Sequence, residues 1–318
     1  MKISALIPTY NRRQHVLRAI DSVLAQTRPV DEVIVVDDGS TDGTVEAIRG
    51  HYGSHVIVVR QENRGVSAAR TRAVSEARGE WVAFLDSDDV WLPTKLECQF
   101  DALSALGPDF GACITNCSYF GDPEHSLSVF EEGELKTNSP FGHLINPIKH
   151  ILGTYTGIYV QSLLVRRSLL VEVKGFDSRL NLAEDRDLIF RLAFRTKFCF
   201  VSEPLVGIDR TPSESRLTGL LVQKNDQTYA WLELVREKWL AQPELVDQDT
   251  RETIQQELIA LYYSGATERL GKLRLAAAMR KLYKIRSMGQ SYPEIGLTLL
   301  SRAARKLSRS FRSRASDR

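Results

Sequence analysis

"WVAFLDSDD", residues Trp81 to Asp89, decides how this chain folds. An apolar run of strand type ends in three carboxylates within four positions, Asp86, Asp88 and Asp89. Charges crowded in this way repel one another unless something positive offsets them. Two readings suit the turn taken alone. One is a solvated bend in which an Asp caps the helix that starts after Pro93; the other is a seat for a divalent cation. A calcium loop of EF-hand type is excluded. Asp86, Asp88 and Glu97 fall at its positions 1, 3 and 12, but Val90 stands at position 5 and Trp91 replaces the glycine of position 6.

The same pattern recurs on either side. "ISALIP", "EVIVVD" and "HVIVVR" are short runs rich in Val and Ile, separated by segments of helical period. In "RRQHVLRAIDSVLAQ", Val16, Leu17, Ile20, Val23 and Leu24 share one helix face, and "GVSAARTRAVSEAR" reads as a helix opened by Gly65 and closed by Gly79. This alternation predicts a parallel sheet covered by helices, an α/β fold. A second strand also ends in acid, "VVDD" at 35–38. Ligands of open α/β sheets bind beyond the carboxyl ends of the strands, so both acidic clusters are expected to line one crevice. No GxGxxG follows a strand and no GxxxxGK[ST] occurs. A nucleotide bound there would have its phosphates neutralised by metal rather than by a glycine cradle.

Beyond Pro93 the pattern predicts a helix over 94–106, the strand "FGACIT", and an irregular, substrate-covering stretch from Gly121 to about Gly157. Strand-like "QSLLVRR", helix-like "AEDRDLIFRLAFRT" and strand-like "KFCFVSEPLVGI" follow, and from Leu217 onward the period is helical. The expected division is a sheet domain over 1–216 and a helical module over 217–318. Among 318 residues, 43% hydrophobic and 26% charged is ordinary for a soluble enzyme, and the opening "MKISALIPTYNRR" turns polar too soon for a signal peptide. The expectation is a cytoplasmic chain. Four cysteines, Cys98, Cys113, Cys117 and Cys199, form no CxxC pair and have no His partners, which argues for free buried thiols over zinc.

As a set, "PTYNR" (8–12), "VVDDGSTDGT" (35–44), "NRGVSAARTRAV" (63–74), "FLDSDD" (84–89) and "AEDRDLIFRLA" (183–193) resemble, in order and spacing, the family 2 glycosyltransferases with the GT-A fold. The resemblance covers about residues 2 to 210. It implies a Rossmann-like mixed sheet flanked by helices, and an inverting transfer of sugar from a nucleotide-diphosphate donor, a UDP-sugar, to a glycan or lipid-linked acceptor in surface polysaccharide or glycolipid assembly. Carried over by position, it implies a donor site of Pro8, Thr9, Tyr10, Asn11, Arg12, Asp38, Gly65, Asp86, Ser87 and Arg210. It implies Mg2+ or Mn2+ on Asp88 with Asp86, and a catalytic pair Glu184 and Asp185 with Asp185 as the base. A single base suits such a transfer, since one carboxylate takes the acceptor's proton while a Lewis acid assists the leaving diphosphate.

Bland readings stand beside these. Acids in the first turn of a helix favour its dipole, and Asp187 with Arg191 reads as a helix-surface pair. Ser40 or Thr41 suits a helix cap. Arg64 and Arg70 belong either at the diphosphate or in surface pairs. In "GIDRTPSESRLT", Arg210, Ser213 and Ser215 fit the family's closing loop, but the His usual there is missing. Two other functions remain open: a nucleotide-sugar pyrophosphorylase, although its Gly-rich N-terminal loop is absent, and an inactive GT-A binding subunit.

The end of the chain differs in charge. Residues 267–318 hold 14 Lys plus Arg against 3 Asp plus Glu, leaving 28 against 37 elsewhere. "LTLLSRAARKLSRSFRSRASDR" places Leu300, Ala303, Ala304, Leu307 and Phe311 near one helical face among Arg and Lys. This suits a solvated tail and equally a peripheral contact with the anionic inner face of a membrane; nucleic acid is not expected from an acidic body. If the tail makes the membrane contact, deleting Leu300–Arg318 will abolish co-flotation with anionic liposomes, and unchanged flotation will refute it.

Overall fold

The computed structural model describes residues 1–318 apart from 123–125, 153–156, 181, 212–225, 243–245, 272–274 and 291–318. It divides into two compact units, Met1–Ser213 and Glu214–Arg318.

The first unit opens with β1 (Ile3–Thr9), α1 (Arg13–Leu24), β2 (Glu32–Asp37), α2 (Thr44–Tyr52), β3 (Val56–Arg60), α3 (Val66–Glu76) and β4 (Trp81–Phe84). These four strands pair in parallel in the order β3-β2-β1-β4. All seven residues of β1 are buried, as expected of a strand covered by helices on both faces. α1 turns Val16, Ala19, Ile20 and Val23 inward, whereas Leu24 ends the helix exposed.

The sheet continues as a mixed one. β5 (Val90–Trp91), α4 (Lys95–Leu106) and β6 (Phe110–Phe120) follow the acidic turn. β8 (Leu164–Arg166) then inserts antiparallel between β4 and β6, while β9 (Lys197–Asp209) runs parallel to β6 and pairs with β5 at the edge. The parallel reading drawn from the first four strands holds for them, and the sheet as a whole is mixed, as the family resemblance implied. The architecture is a curled mixed sheet flanked by helices.

The stretch from 121 to 157 is less irregular than its composition suggests. It contains α5 (Val129–Glu132), β7 (Phe141–Leu144) and a 3-10 turn at Pro147–His150. β7 pairs antiparallel with β9. α5 begins in a capping box, the Glu131 amide donating to Ser128 Oγ and the Ser128 amide to the Glu131 carboxylate. Elements of four residues are too short to show a period. α6 (Arg167–Glu172) and α7 (Glu184–Ala193) complete the unit.

Behind the acidic turn lies a polar plug. Lys95, fully buried, donates through Nζ to Gln99 Oε1 at 3.0 Å and sits 4.3 Å from the centre of the Trp91 ring. Gln99 Nε2 in turn donates to the carbonyls of Cys113 and Ser162. Burial pushes the Lys95 amine down to about 7. All four cysteines are free, with Cys113, Cys117 and Cys199 buried.

The second unit, among the described residues, is helical: α8 (Asp226–Leu240), α9 (Gln248–Gly271) and α10 (Leu275–Ser287). Leu258, Ile259, Tyr262, Tyr263 and Ile285 form its core, and Arg236 pairs with Glu257 at 3.0 Å. No described helix is long and apolar enough to cross a membrane. The basic segment 300–318 lies outside the described residues.

Gly79 joins α3 to β4 where the backbone is crowded. Its amide donates to Ser4 Oγ at 2.8 Å, and a Cβ there would lie 2.7 Å from the Ser4 amide nitrogen and 2.9 Å from the Trp81 carbonyl oxygen. Gly79→Ala is expected to lower unfolding stability by about 1–3 kcal/mol, read as a lower urea midpoint at unchanged m-value.

Candidate active site

The carboxyl ends of β1 and β2 are laced together by their loops. Pro8 and Thr9 end β1 buried, and the Thr9 Oγ1 has no hydrogen-bond partner; Tyr10 is 48% exposed. Asn11 takes the left-handed conformation at φ 50°, which its short amide tolerates. Its amide donates to Ser40 Oγ at 2.8 Å, and its Oδ1 accepts from the Thr41 amide at 2.8 Å. The Arg12 amide donates to Thr44 Oγ1. Ser40 thus ties one loop to the other and does not cap α2, whose N-cap is Gly43.

Asp38 is buried at the start of α3. One carboxylate oxygen accepts from Gln61 Nε2 and the Arg64 amide, at 2.7 and 2.9 Å, and the other from the Gly65 amide at 2.8 Å. The carboxylate meets the positive end of the helix, and Gly65, at φ 87°, supplies a backbone turn that a side chain would resist.

Arg70, on α3, joins the acidic turn to α7. Its Nη2 donates to Asp86 Oδ1 at 2.5 Å and its Nη1 to Glu184 Oε1 at 2.6 Å, with the guanidinium 5.4 Å from the Phe176 ring centre. The side chain is 4% exposed. It is therefore a buried bridge and not a surface pair. Burial works against the guanidinium's charge, but Asp86 and Glu184 outweigh it and hold its pKa above the ordinary value.

The acids of the turn take separate places. Ser87 is buried between Asp86 and Asp88, which are both partly exposed. Asp89 is buried, accepting from the Asp209 amide at 3.0 Å and from Gln161 Nε2 at 2.9 Å. Burial, reinforced by the charges of Asp88 and Asp86, drives its pKa well up. No side chain of the turn caps α4, so the capping reading of the acids is not what the structure holds.

α7 begins under strain. Ala183, its N-cap, has φ 61°, a conformation that an alanine rarely adopts. Just before it, Ser67 Oγ donates to the carbonyl of Leu180 and so fixes the approach. Glu184 is buried on Arg70. Asp185 is partly exposed and accepts from the Arg186 amide at 2.8 Å. Asp187 does pair with Arg191, at 2.8 Å, but it is fully buried and belongs to the packing of the helix rather than to its surface.

Tyr159 shares a side-chain hydrogen bond with Tyr119 of β6. Burial raises its pKa, Arg210 opposes the rise and Asp185 adds to it, so both charges act on one ring. The Arg210 guanidinium lies 4.9 Å from the Tyr119 ring centre, and its amide donates to the Phe120 carbonyl at 2.6 Å. Ser213 and Ser215 lie outside the described residues.

The turn fits a divalent cation of the kind that completes its shell with phosphate and water. Among the described residues no three His, Cys, Asp or Glu side chains form a ready cage. Mg2+ and Mn2+ are commonly held by one or two carboxylates plus substrate phosphates. Asp86 and Asp88, both partly exposed and two positions apart, are the carboxylates that would hold such an ion.

Sequence reasoning placed Arg70 either at the diphosphate or in a surface pair, not as the bridge between Asp86 and Glu184, and it did not name Tyr159. Arg70 lies inside a quoted motif, and its only signal was a cation on a helix otherwise turning small residues inward. Tyr159 gave no signal.

The family profile described as "Glycosyl transferase family 2" matches residues 4–163. An uncharacterized glycosyltransferase of Rickettsia typhi is 32% identical over 206 residues, covering 64% of this chain and 62% of that protein. The succinoglycan biosynthesis protein ExoO of Rhizobium meliloti is 30% identical over 195 residues, 59% of this chain and 54% of that one. These alignments span less than two thirds of the relatives' own lengths. Among solved structures, S. aureus TarS 1-349 in complex with UDP-GlcNAc superimposes with a TM-score of 0.62 at 19% identity, covering 92% of each chain. The mannosyltransferase PcManGT of Pyrobaculum calidifontis, with GDP-Man and Mn2+, does so at 0.56 and 20%, covering 98% and 82%. The fold is the GT-A fold.

Burial, with the charge of Asp185 beside it, pushes the Glu184 carboxyl up to about 7 against the pull of Arg70. A raised carboxyl pKa gives stability that is complete below the unfolded value of 4.5 and fades as pH climbs through about 7. Relative to Glu184→Gln, the parent chain is therefore expected to lose stability between those two pH values, as read from urea midpoints across the range.

Proposed function

The chain belongs to glycosyl transferase family 2, and on that premise we propose that it is an inverting glycosyltransferase that moves sugar from a nucleoside-diphosphate donor to a hydroxyl of a glycan or lipid-linked acceptor. The observation that carries this reading is the division of labour between two neighbouring carboxylates. Arg70 binds Glu184 and Asp86 and leaves Asp185, next along the helix, partly exposed. A partly exposed carboxylate on a helix tied to the acidic turn is what a general base for an acceptor hydroxyl requires.

The donor lies along the ends of β1, β2 and β4. Pro8 to Arg12 and Asp38 receive the base and ribose, Tyr10 offering an exposed ring and Asp38 a carboxylate held in place by α3. Gly65, Asp86 and Ser87 border the sugar diphosphate, and Arg210 approaches it from the end of β9. Asp88, with Asp86, would hold Mg2+ or Mn2+, which offsets the diphosphate charge and acts as a Lewis acid toward the leaving group. TarS bound to UDP-GlcNAc supports a UDP-sugar donor, and PcManGT with Mn2+ supports the ion. ExoO, named for succinoglycan biosynthesis, supports a place in surface polysaccharide assembly. We assign the donor and base residues to a domain ending near 216 and the basic tail to contact with the inner face of the membrane.

Nucleotide sugars screened with Mn2+ and candidate acceptors are expected to yield nucleoside diphosphate; pyrophosphate formation instead would overturn the reading. Asp185→Asn should keep donor affinity and lower turnover by roughly 10²–10⁴. Asp88→Ala should remove the metal-dependent part of nucleotide binding, measured by calorimetry with and without Mn2+. Full activity in either variant contradicts the assignment.

A further inference from the structure

We propose that Arg18, on α1, is a positioning residue that locks the peptide of Asp88 to the end of β9. Its Nη2 donates to the Asp88 carbonyl at 2.7 Å and to Asp209 Oδ2 at 2.9 Å, and its guanidinium lies 5.0 Å from the Phe120 ring centre. One nitrogen thus joins the acidic turn to the last residue of the sheet, beside the end of β6.

The partners extend the clamp in both directions. The Asp209 amide donates to Asp89 Oδ1 at 3.0 Å, and Asp209 Oδ1 accepts from the Thr211 amide at 2.7 Å. Asp209 therefore holds the turn on one side and Thr211 on the other. The Asp209 side chain is 4% exposed and is held by the Thr211 amide as well as by Arg18. Arg18 itself is 45% exposed on the outer side of this junction, and its removal opens no core.

The consequence falls on Asp88. A carbonyl pinned from behind fixes the peptide plane, and with it the direction in which the carboxylate leaves the chain. Losing a group that orients a metal ligand costs roughly ten- to a hundredfold in metal affinity. Because the same nitrogen holds Asp209, the aim of Asp88 and the place of Thr211 are set together. This inference rests on the proposed seat of the cation at Asp88.

Two variants of the full chain test it. Arg18→Met keeps the stem and removes the donor; Arg18→Lys restores a cation whose single nitrogen can serve both acceptors. Mn2+ is titrated in the presence of UDP and followed by electron paramagnetic resonance of the free ion, with thermal unfolding measured without metal. Arg18→Met is expected to raise the Mn2+ Kd about tenfold, and Arg18→Lys to return within about threefold of the parent. The melting temperatures of all three should agree within about 2 °C, as for a surface substitution. Equal Mn2+ affinity in the parent and Arg18→Met overturns the clamp, and so does a loss of affinity that only follows a lowered melting temperature. A parent chain that takes up no Mn2+ with UDP or any other nucleoside diphosphate overturns the reading of the site itself, a result distinct from a loss confined to Arg18→Met.

Discussion

One buried guanidinium organises this molecule's chemistry. Arg70 holds a carboxylate from the end of β4 on one nitrogen and a carboxylate from the start of α7 on another. Those two segments are distant in sequence, and no backbone pairing joins them directly. A buried charge bridging two opposite charges is a demanding arrangement, since removing one partner from such a set costs about 3–5 kcal/mol. The same demand makes it specific: α7 cannot shift along the sheet without stranding a charge. The spacing between the acidic turn and Asp185 is therefore set by an ion bridge together with the buried Leu188, Phe190 and Leu192 of the same helix.

The backbone around this bridge is held in conformations that ordinary residues avoid. Asn11 closes the first loop and Ala183 opens α7, both at positive φ. Asn11 is fastened by Ser40 and Thr41, and Leu180, three residues before Ala183, accepts from Ser67. Strain of order 1–3 kcal/mol per residue persists only where its surroundings over-determine the geometry. Both positions border the two acidic clusters, where a fixed backbone gives fixed carboxylates.

The acids of the turn show how identical side chains acquire different work. Asp89 is withdrawn into the protein and carries the architecture, joining β9 through the Asp209 amide. Asp86 is claimed by Arg70, and Asp88 has its carbonyl held by Arg18. Of the three, Asp88 is the one whose backbone is anchored from outside the turn while its side chain stays partly exposed. Repulsion among the three is lessened by burying one and pairing another, while the third, Asp88, keeps a partly exposed side chain.

What the sequence by itself determined was the local pattern. The first four strands, their helices and the acidic ends of β2 and β4 follow from periods and turn residues that act over a few positions, so they are legible along the chain. The motif set was also enough to point to the family. Tertiary structure alone decided the rest. β8 and β7 are too short for a period to show, so their antiparallel insertion, and the order of a stretch that looked irregular, could not be read. Asp187 and Arg70 look like surface charges by spacing and are buried, because burial of a charge depends on partners that sequence distance conceals. Arg18 looks like one polar residue on an amphipathic helix; only folding brings it within reach of Asp88 and Asp209. Periodicity reports which face of an element is apolar, and it carries no record of which distant polar groups meet once those faces have packed.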